Sequence, residues 1–292
     1  MPTNRFPDSI QKRALRLRDG RSLQQFAEHI GRGLDYCGMP SVEFLDVEAW
    51  RGVLRSVVGV EYDPEVANDM RIELDRRAFP FPVRIVEDDI SHLLVTAKEA
   101  FDVYNLDFYT GFVNVRSVTV GKSVDAIREV FRTQGKARRS FTLITTFNVR
   151  DQGAGEYLKF LQGVSRELTG HTNSKENLAA HSATQPGRLK LCFPFFCWQQ
   201  AGATGFEHDS TAVYVYHSLS TGARSRHVTH TMVHFHQRFK FREGEVLPVP
   251  MLQTLIDLAN QPLYELKEEI PYKHMVPPRI DSYVRASPQA KR

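Results

Sequence analysis

Three short apolar runs in this chain end in acids. "SVVGVEYD" (56–63) closes on Glu61 and Asp63, and "FPVRIVEDD" (81–89) closes on Asp88 and Asp89. "FDVYNLDF" (101–108) closes on Asn105, Asp107 and Phe108, and Tyr109 and Phe112 follow at once. A carboxylate accepts on two oxygens, so a single acid at a strand end suits the two hydroxyls of a ribose. A second acid one strand along suits an exocyclic amine. Glu61 or Asp63 fits the first task, and Asp88 or Asp89 fits the second. Asp107 suits a general base, or a group that holds a cation or an amine. Each acid also has a structural use. Asp63 stands before Pro64 as a helix cap, Asp88 and Asp89 can cap the next turn, and Asp107 suits an Asx turn. The repetition at three successive strand ends favours a shared ligand.

The elements that would carry these residues alternate. Strands are expected at 56–63, 81–89, 101–108 and 139–149. Helices are expected at 22–38, 63–77, 123–134 and 154–168, from apolar residues at helical spacing. In "SLQQFAEHIGRGLDYCG" the apolar positions are Leu23, Phe26, Ile30 and Leu34, and Gly38 closes the helix. Strands separated by helices of this length give right-handed crossovers and a parallel sheet covered on both faces. "STAVYVYHSLS" (210–220) and "HVTHTMVHFHQRFKF" (227–241) alternate as strands and add an antiparallel hairpin. The fold class is therefore α/β, a doubly wound, mostly parallel sheet with a C-terminal antiparallel hairpin. Residues 1–38 read as an N-terminal helical segment, 39–250 as the sheet domain, and 251–292 as a C-terminal helix and tail. Residues 169–190 read as an irregular excursion.

Composition narrows the class. The chain has 292 residues, 41% hydrophobic and 25% charged, with a net charge of +4. That balance is ordinary for a globular protein and does not demand a polyanionic partner. No window approaches the ~18 apolar residues of a membrane span, so no membrane partner is expected. The basic N-terminus reads as an amphipathic helix, with Ile10, Ala14 and Leu17 on one side. Three cysteines do not make a disulfide framework, and Cys192 and Cys197 in "LCFPFFCW" read as core thiols. A reducing, cytoplasmic location follows. His230, Met232, His234 and His236 share one face of a strand, read as the solvent-facing strand of the end hairpin. With no acid close by, no metal site is assigned to them. "GKARRS" (135–140), "GARSRH" (222–227) and "QRFKFR" (237–242) are local basic clusters, suited to phosphate contact and base stacking if they border the same edge as "NLDF".

These residues resemble the Rossmann-like S-adenosylmethionine-dependent methyltransferases over roughly residues 40–240. "VVGVEYDPEVANDM" is similar to that family's second strand and following helix, and "VEDDI" to the adenine-side acid after the third strand. "NLDF" is similar to the Asn-Pro-Pro-aromatic signature of members that methylate amino groups. The resemblance implies S-adenosylmethionine as cofactor and no metal. It implies Glu61 at the ribose and Asn105, Asp107 and Phe108 where the methyl meets its acceptor, with Phe108 stacking on a base. The family has a glycine-rich turn about twenty residues before the second-strand acid; here "VEFLDVEAWRGVLRSVVGVE" occupies that place, with Gly52 and no Gly-x-Gly, so the turn is glycine-poor and departs from the family's pattern.

Two readings follow. One is a methyltransferase acting on an amino group of a nucleobase or another nucleic-acid-related acceptor, with a nucleic acid or nucleotide as substrate. The other is a catalytically inactive scaffold or nucleotide-binding subunit of a larger protein complex. The glycine-poor turn favours the second, and the strand-end acids with Asn105 favour the first.

Overall fold

A computed structural model describes residues 8–108, 112, 120–149, 162, 183–221, 227–243 and 264–265. Its first element is one long helix, α1, Ile10–Ile30. Ser9 caps it by accepting from the Lys12 amide at 3.2 Å. Gly31, at φ 69°, ends it, and its N–H returns to the carbonyls of Ala27 and Glu28. Only glycine takes that left-handed conformation without a Cβ penalty. The helix expected to run to Gly38 thus stops eight residues earlier. Leu34–Gly38 is instead the first strand, β1. The buried side of α1 also differs from expectation: Gln11, Ala14, Leu15, Asp19, Leu23 and Phe26 are buried, whereas Ile10 is exposed.

The remaining elements are α2 (Leu45–Trp50), β2 (Leu54–Glu61), α3 (Pro64–Arg76), β3 (Val83–Glu87), α4 (Ile90–Thr96), β4 (Val103–Phe108), α5 (Val120–Ala137) and β5 (Phe141–Asn148). They are followed by α6 (Gln185–Thr204), β6 (Phe206–Thr221), β7 (His227–Phe241) and β8 (Tyr264–Glu265). The helix expected at 154–168 lies outside the described residues apart from residue 162, and of 251–292 only Tyr264 and Glu265 are described, as a strand rather than a helix.

All the described strands join one sheet, in the order β3-β2-β1-β4-β5-β7-β6-β8. The first five are mutually parallel. β7 is antiparallel to β5 and to β6, and β8 adds a two-residue parallel edge to β6. This is the doubly wound sheet with a terminal antiparallel pair that the sequence resemblance implied, a Rossmann-like methyltransferase fold.

Helices cover both faces. On one, α4, α5 and α6 pack an aromatic core that includes Phe131, Phe141, Phe147, Phe193 and Phe196. On the other, residues of α1, α2 and α3, among them Leu23, Phe26, Trp50 and Met70, pack over β1 and β2. The start of α6 falls where an irregular excursion was expected. Pro194 inside that helix removes a backbone donor, a cost of about 3 kcal/mol. Burial of Phe193, Phe195, Phe196 and Trp198 offsets it, at about 1.5–3 kcal/mol for each large apolar side chain. Cys37, Cys192 and Cys197 are free and buried, and burial pushes each thiol up from its ordinary value. Among the described residues, no helix is long and apolar enough to cross a membrane.

Candidate active site

Strand order reverses between β1 and β4, and in open parallel sheets ligands sit in the crevice beyond the strand ends at that point. β1 ends there on Gly38, beside Asn105 of β4. A Cβ on Gly38 would lie 2.6 Å from the Asn105 carbonyl oxygen and against the Tyr36 hydroxyl. The Met39 amide donates to that same carbonyl at 3.2 Å. The close backbone approach admits no side chain. The glycine at the end of the first strand is therefore Gly38, in "YCGMP", and the stretch around Gly52 lies after it in the chain. Gly52 faces open space, in the turn that leads from α2 into β2. The correction follows from β1: once Gly31 ends α1, the next glycine stands at the end of the first strand.

The strand-end acids divide by task. Asp63 caps α3, its Oδ1 accepting from the amides of Glu65 (2.9 Å) and Val66 (3.3 Å). Asp89 caps α4 in the same way, accepting from Ser91 (2.8 Å) and His92 (3.3 Å). Their neighbours keep side chains at the rim. Glu61 accepts one bond, from the Asp63 amide at 3.0 Å. Asp88 accepts from the Asp89 amide at 2.8 Å and meets His92 Nδ1 at 2.8 Å. The Asp88 amide donates to the Glu61 carbonyl at 3.0 Å, so the two strand ends are tied together. Tyr62, which the sequence reading passed over, is 72% exposed beside Glu61. A large exposed aromatic next to such an acid offers a flat surface for a purine. Its signal in the sequence was an aromatic residue just after the strand.

On β4, side chains alternate between two environments. Phe108 is buried and stacked on Phe147, with centroids 5.5 Å apart at 17°. Phe112 is buried among Phe147, Phe193 and Phe196. Both aromatics belong to the core rather than to a face open to a ligand, because Phe108 falls on the side of the sheet that α5 and α6 cover. Tyr109 lies outside the described residues. Asn105 and Asp107 point the other way, towards α1 and α2. The Asn105 Nδ2 donates to Asp46 Oδ2 at 2.9 Å and to the Tyr36 hydroxyl at 3.3 Å. Asp46 in turn receives Arg16 Nε of α1 at 2.8 Å. Burial pushes the Asp46 carboxyl up, against the pull of Arg16 and Asn105.

The amide of residue 109, on which an Asx turn at Asp107 would depend, lies outside the described residues. Asp107 accepts no hydrogen bond from a described residue. It lines a small open pocket with Lys12, Asn148, Tyr216, Ser218, His230 and Met232. Burial raises its carboxyl above the ordinary carboxylate range, more than Lys12 lowers it, and Asp46 adds to the rise.

His234 and His236 of β7 are buried rather than solvent-facing, because β7 lies inside the sheet and α1 crosses it there. His234 Nε2 meets Asp19 Oδ2 at 3.1 Å, and His236 Nδ1 meets Asp19 Oδ1 at 2.9 Å. His234 Nδ1 also meets the Thr146 hydroxyl at 3.0 Å. Burial alone would raise the Asp19 carboxyl, but the two imidazoles hold it well below its ordinary value. Among the described residues, no three His, Cys, Asp or Glu side chains are grouped to hold a metal.

Two of the basic clusters sit at the opposite edge of the sheet. Arg139 binds Asp35 and Asp102 at 2.9 and 2.8 Å. Arg238 and Lys240 pair with Asp209, and Arg242 pairs with Glu207. They lie at the start of β5 and the end of β7, whereas "NLDF" ends β4, so they do not border the crevice. Residues 222–226 of the third cluster lie outside the described residues.

No family model matches this chain, nor does any curated protein sequence. Among solved structures, precorrin-6y C5,15-methyltransferase of Geobacter metallireducens is similar over 81% of this chain and 91% of its own, at 12% identity and a TM-score of 0.41. The N-methyltransferase NodS of Bradyrhizobium japonicum, in complex with S-adenosyl-L-homocysteine, is similar over 79% and 89%, at 9% identity and 0.40. Magnesium protoporphyrin IX methyltransferase of Synechocystis, with bound S-adenosylmethionine, is similar over 77% and 79%, at 10% identity and 0.37.

Proposed function

We propose that this chain is an S-adenosylmethionine-dependent methyltransferase whose acceptor is an amino group. The observation that carries the reading is the conjunction of Gly38 with Glu61 and Asp88. A glycine fixed by close approach stands at the switch point, and two carboxylates stand at the next two strand ends, tied by one backbone hydrogen bond. A ribose diol suits Glu61, an adenine amine suits Asp88, and Tyr62 offers the ring a face. When bound, the cofactor would supply an electrophilic methyl group. The chain's part is to bind and orient, and to exclude water from the crevice.

A nucleobase is favoured by the similarity of "NLDF" to the amino-methylating signature. Phe108 offers it no stacking surface, and the paired arginines offer no path for a polynucleotide. The non-catalytic reading is favoured by a single feature, the commitment of the Asn105 amide to Asp46 and Tyr36. Calorimetric titration with S-adenosylmethionine and S-adenosylhomocysteine separates the two readings. A methyltransferase binds both. A chain that binds neither up to millimolar concentration is a scaffold.

A further inference from the structure

The carboxylate offered above to an adenine amine has a partner of its own. His92, on the first turn of α4, sets Nδ1 at 3.0 Å from Asp88 Oδ1 and 2.8 Å from Asp88 Oδ2. Resting on the methyltransferase reading above, we propose that His92 is a positioning residue. It fixes the Asp88 carboxylate so that the site takes a 6-amino purine and rejects a 6-oxo purine.

Three observations support the assignment. First, the local sequence builds the contact. In "EDDISH" Asp89 caps α4 and His92 is the third residue of the helix. Helical side chains lean towards the N-terminus, so a residue at that place reaches back over the cap to Asp88. The His92 amide is itself held by Asp89 Oδ1 at 3.3 Å, so backbone and ring are both anchored. Second, the contact fixes the carboxylate plane. One nitrogen bridges both oxygens, and the Asp89 amide holds Oδ1 at 2.8 Å. Rotation of the carboxylate would break one contact or the other. Third, the pairing sets the direction of the bond. An ionised carboxylate only accepts, which assigns the proton to Nδ1. A carboxylate has about four lone-pair sites, so these contacts are compatible with one further N–H donor. The adenine amine is such a donor. A purine carbonyl in the same place would set acceptor against acceptor.

The neighbouring acids are engaged elsewhere. Arg71 of α3 reaches Glu87 at 3.4 Å, and Glu61 accepts from the Asp63 amide at 3.0 Å. The His92 side chain is 62% exposed. Its removal takes away the contact to Asp88 without opening the core, and an exposed pair of this kind adds little to folding.

The test titrates S-adenosylhomocysteine and its 6-oxo analogue, S-inosylhomocysteine, calorimetrically into the full-length chain. Wild type should favour the adenosine compound by about tenfold or more, because the carbonyl leaves two acceptors facing each other. His92→Ala should weaken that compound by about fivefold and change the inosine compound by less than about twofold, so the preference narrows. His92→Asn should return to within about twofold of wild type, since its amide Nδ2 can stand where Nδ1 stands and donate to the same carboxylate. The double variant Asp88→Ala with His92→Ala should bind no more weakly than Asp88→Ala alone, as expected of a residue that acts through another. The assignment is overturned if His92→Ala weakens both compounds alike, leaves the adenosine compound unchanged, or adds its full effect to that of Asp88→Ala. Those results leave the methyltransferase reading standing. A wild-type chain that binds neither compound removes that reading and the role of His92 with it.

Discussion

Asn105 at the end of β4 holds Asp46 of α2, Nδ2 to Oδ2, at 2.9 Å. The bond crosses the crevice between β1 and β4 and continues through Arg16 to α1. It fixes α2 and α1 against the sheet at the point where strand order reverses. Asn105→Ala leaves the Asp46 carboxylate with a single charged partner from α1. The expected loss is about 1–2 kcal/mol. Asn105→Asp should lose more, because a second carboxylate would then face Asp46. Urea denaturation of the three proteins checks the ranking.

Gly38 and Gly52 give a matched pair. Gly38→Ala puts a methyl 2.6 Å from a carbonyl oxygen that cannot retreat without moving β4. The cost should reach at least the ~1–3 kcal/mol typical of overpacking. Gly52→Ala meets nothing within 4 Å and should stay within about 0.5 kcal/mol of wild type. Thermal melts of both variants decide whether the glycine turn has been placed correctly.

Asp19 is buried between His234 and His236, and its loss removes one partner of a buried charged cluster. Asp19→Ala should cost about 3–5 kcal/mol. Its carboxyl lies below the ordinary value in the folded chain. Its stabilising contribution is therefore fully present above the unfolded pKa of about 3.9 and is lost as pH falls below it. The stability gap between wild type and Asp19→Asn should narrow between pH 5 and pH 2. A gap that is constant over this range would show that the carboxylate charge has no part in docking α1.

The acids of β2 and β3 should separate by variant. Glu61→Gln and Asp88→Asn should weaken binding of S-adenosylhomocysteine by about 1.5–3 kcal/mol each. Asp63→Asn and Asp89→Asn should change neither binding nor melting temperature appreciably, since asparagine caps helices as well as aspartate does. Calorimetry on the four variants tests the division.

Much of this was legible in the sequence, for reasons that differ by element. β2, β4 and β5 announced themselves because both faces are covered and their residues run apolar almost without a break. β3 was marked by its flanking Pro82 and the acids that follow it. β1 was hidden. It is five residues long, contains an aspartate and a glycine, and follows Gly31 so closely that the apolar spacing of α1 ran straight through it. With β1 missed, the turn after the first strand was sought around Gly52, where the chain is glycine-poor. α6 was obscured by Pro194, which local rules read as a helix breaker and which aromatic burial overrides. The capping acids and the rim acids could not be told apart by type, since in "VEYD" and "VEDD" alike a carboxylate that meets free amides stands within two residues of one that does not cap a helix. The burial of His234 and His236 depended on α1 crossing β7, a contact between residues more than two hundred positions apart.

The central claim is that the ends of β1, β2 and β3 hold an adenosine. Diffraction from the chain crystallised with S-adenosylhomocysteine tests it most directly. The account predicts ribose hydroxyls within hydrogen-bonding distance of Glu61, the adenine amine near Asp88, and the ring against Tyr62. Adenosine density on the other edge of the sheet, beside Asp35 and Asp102, or a ligand bound without contact to Glu61, would contradict it.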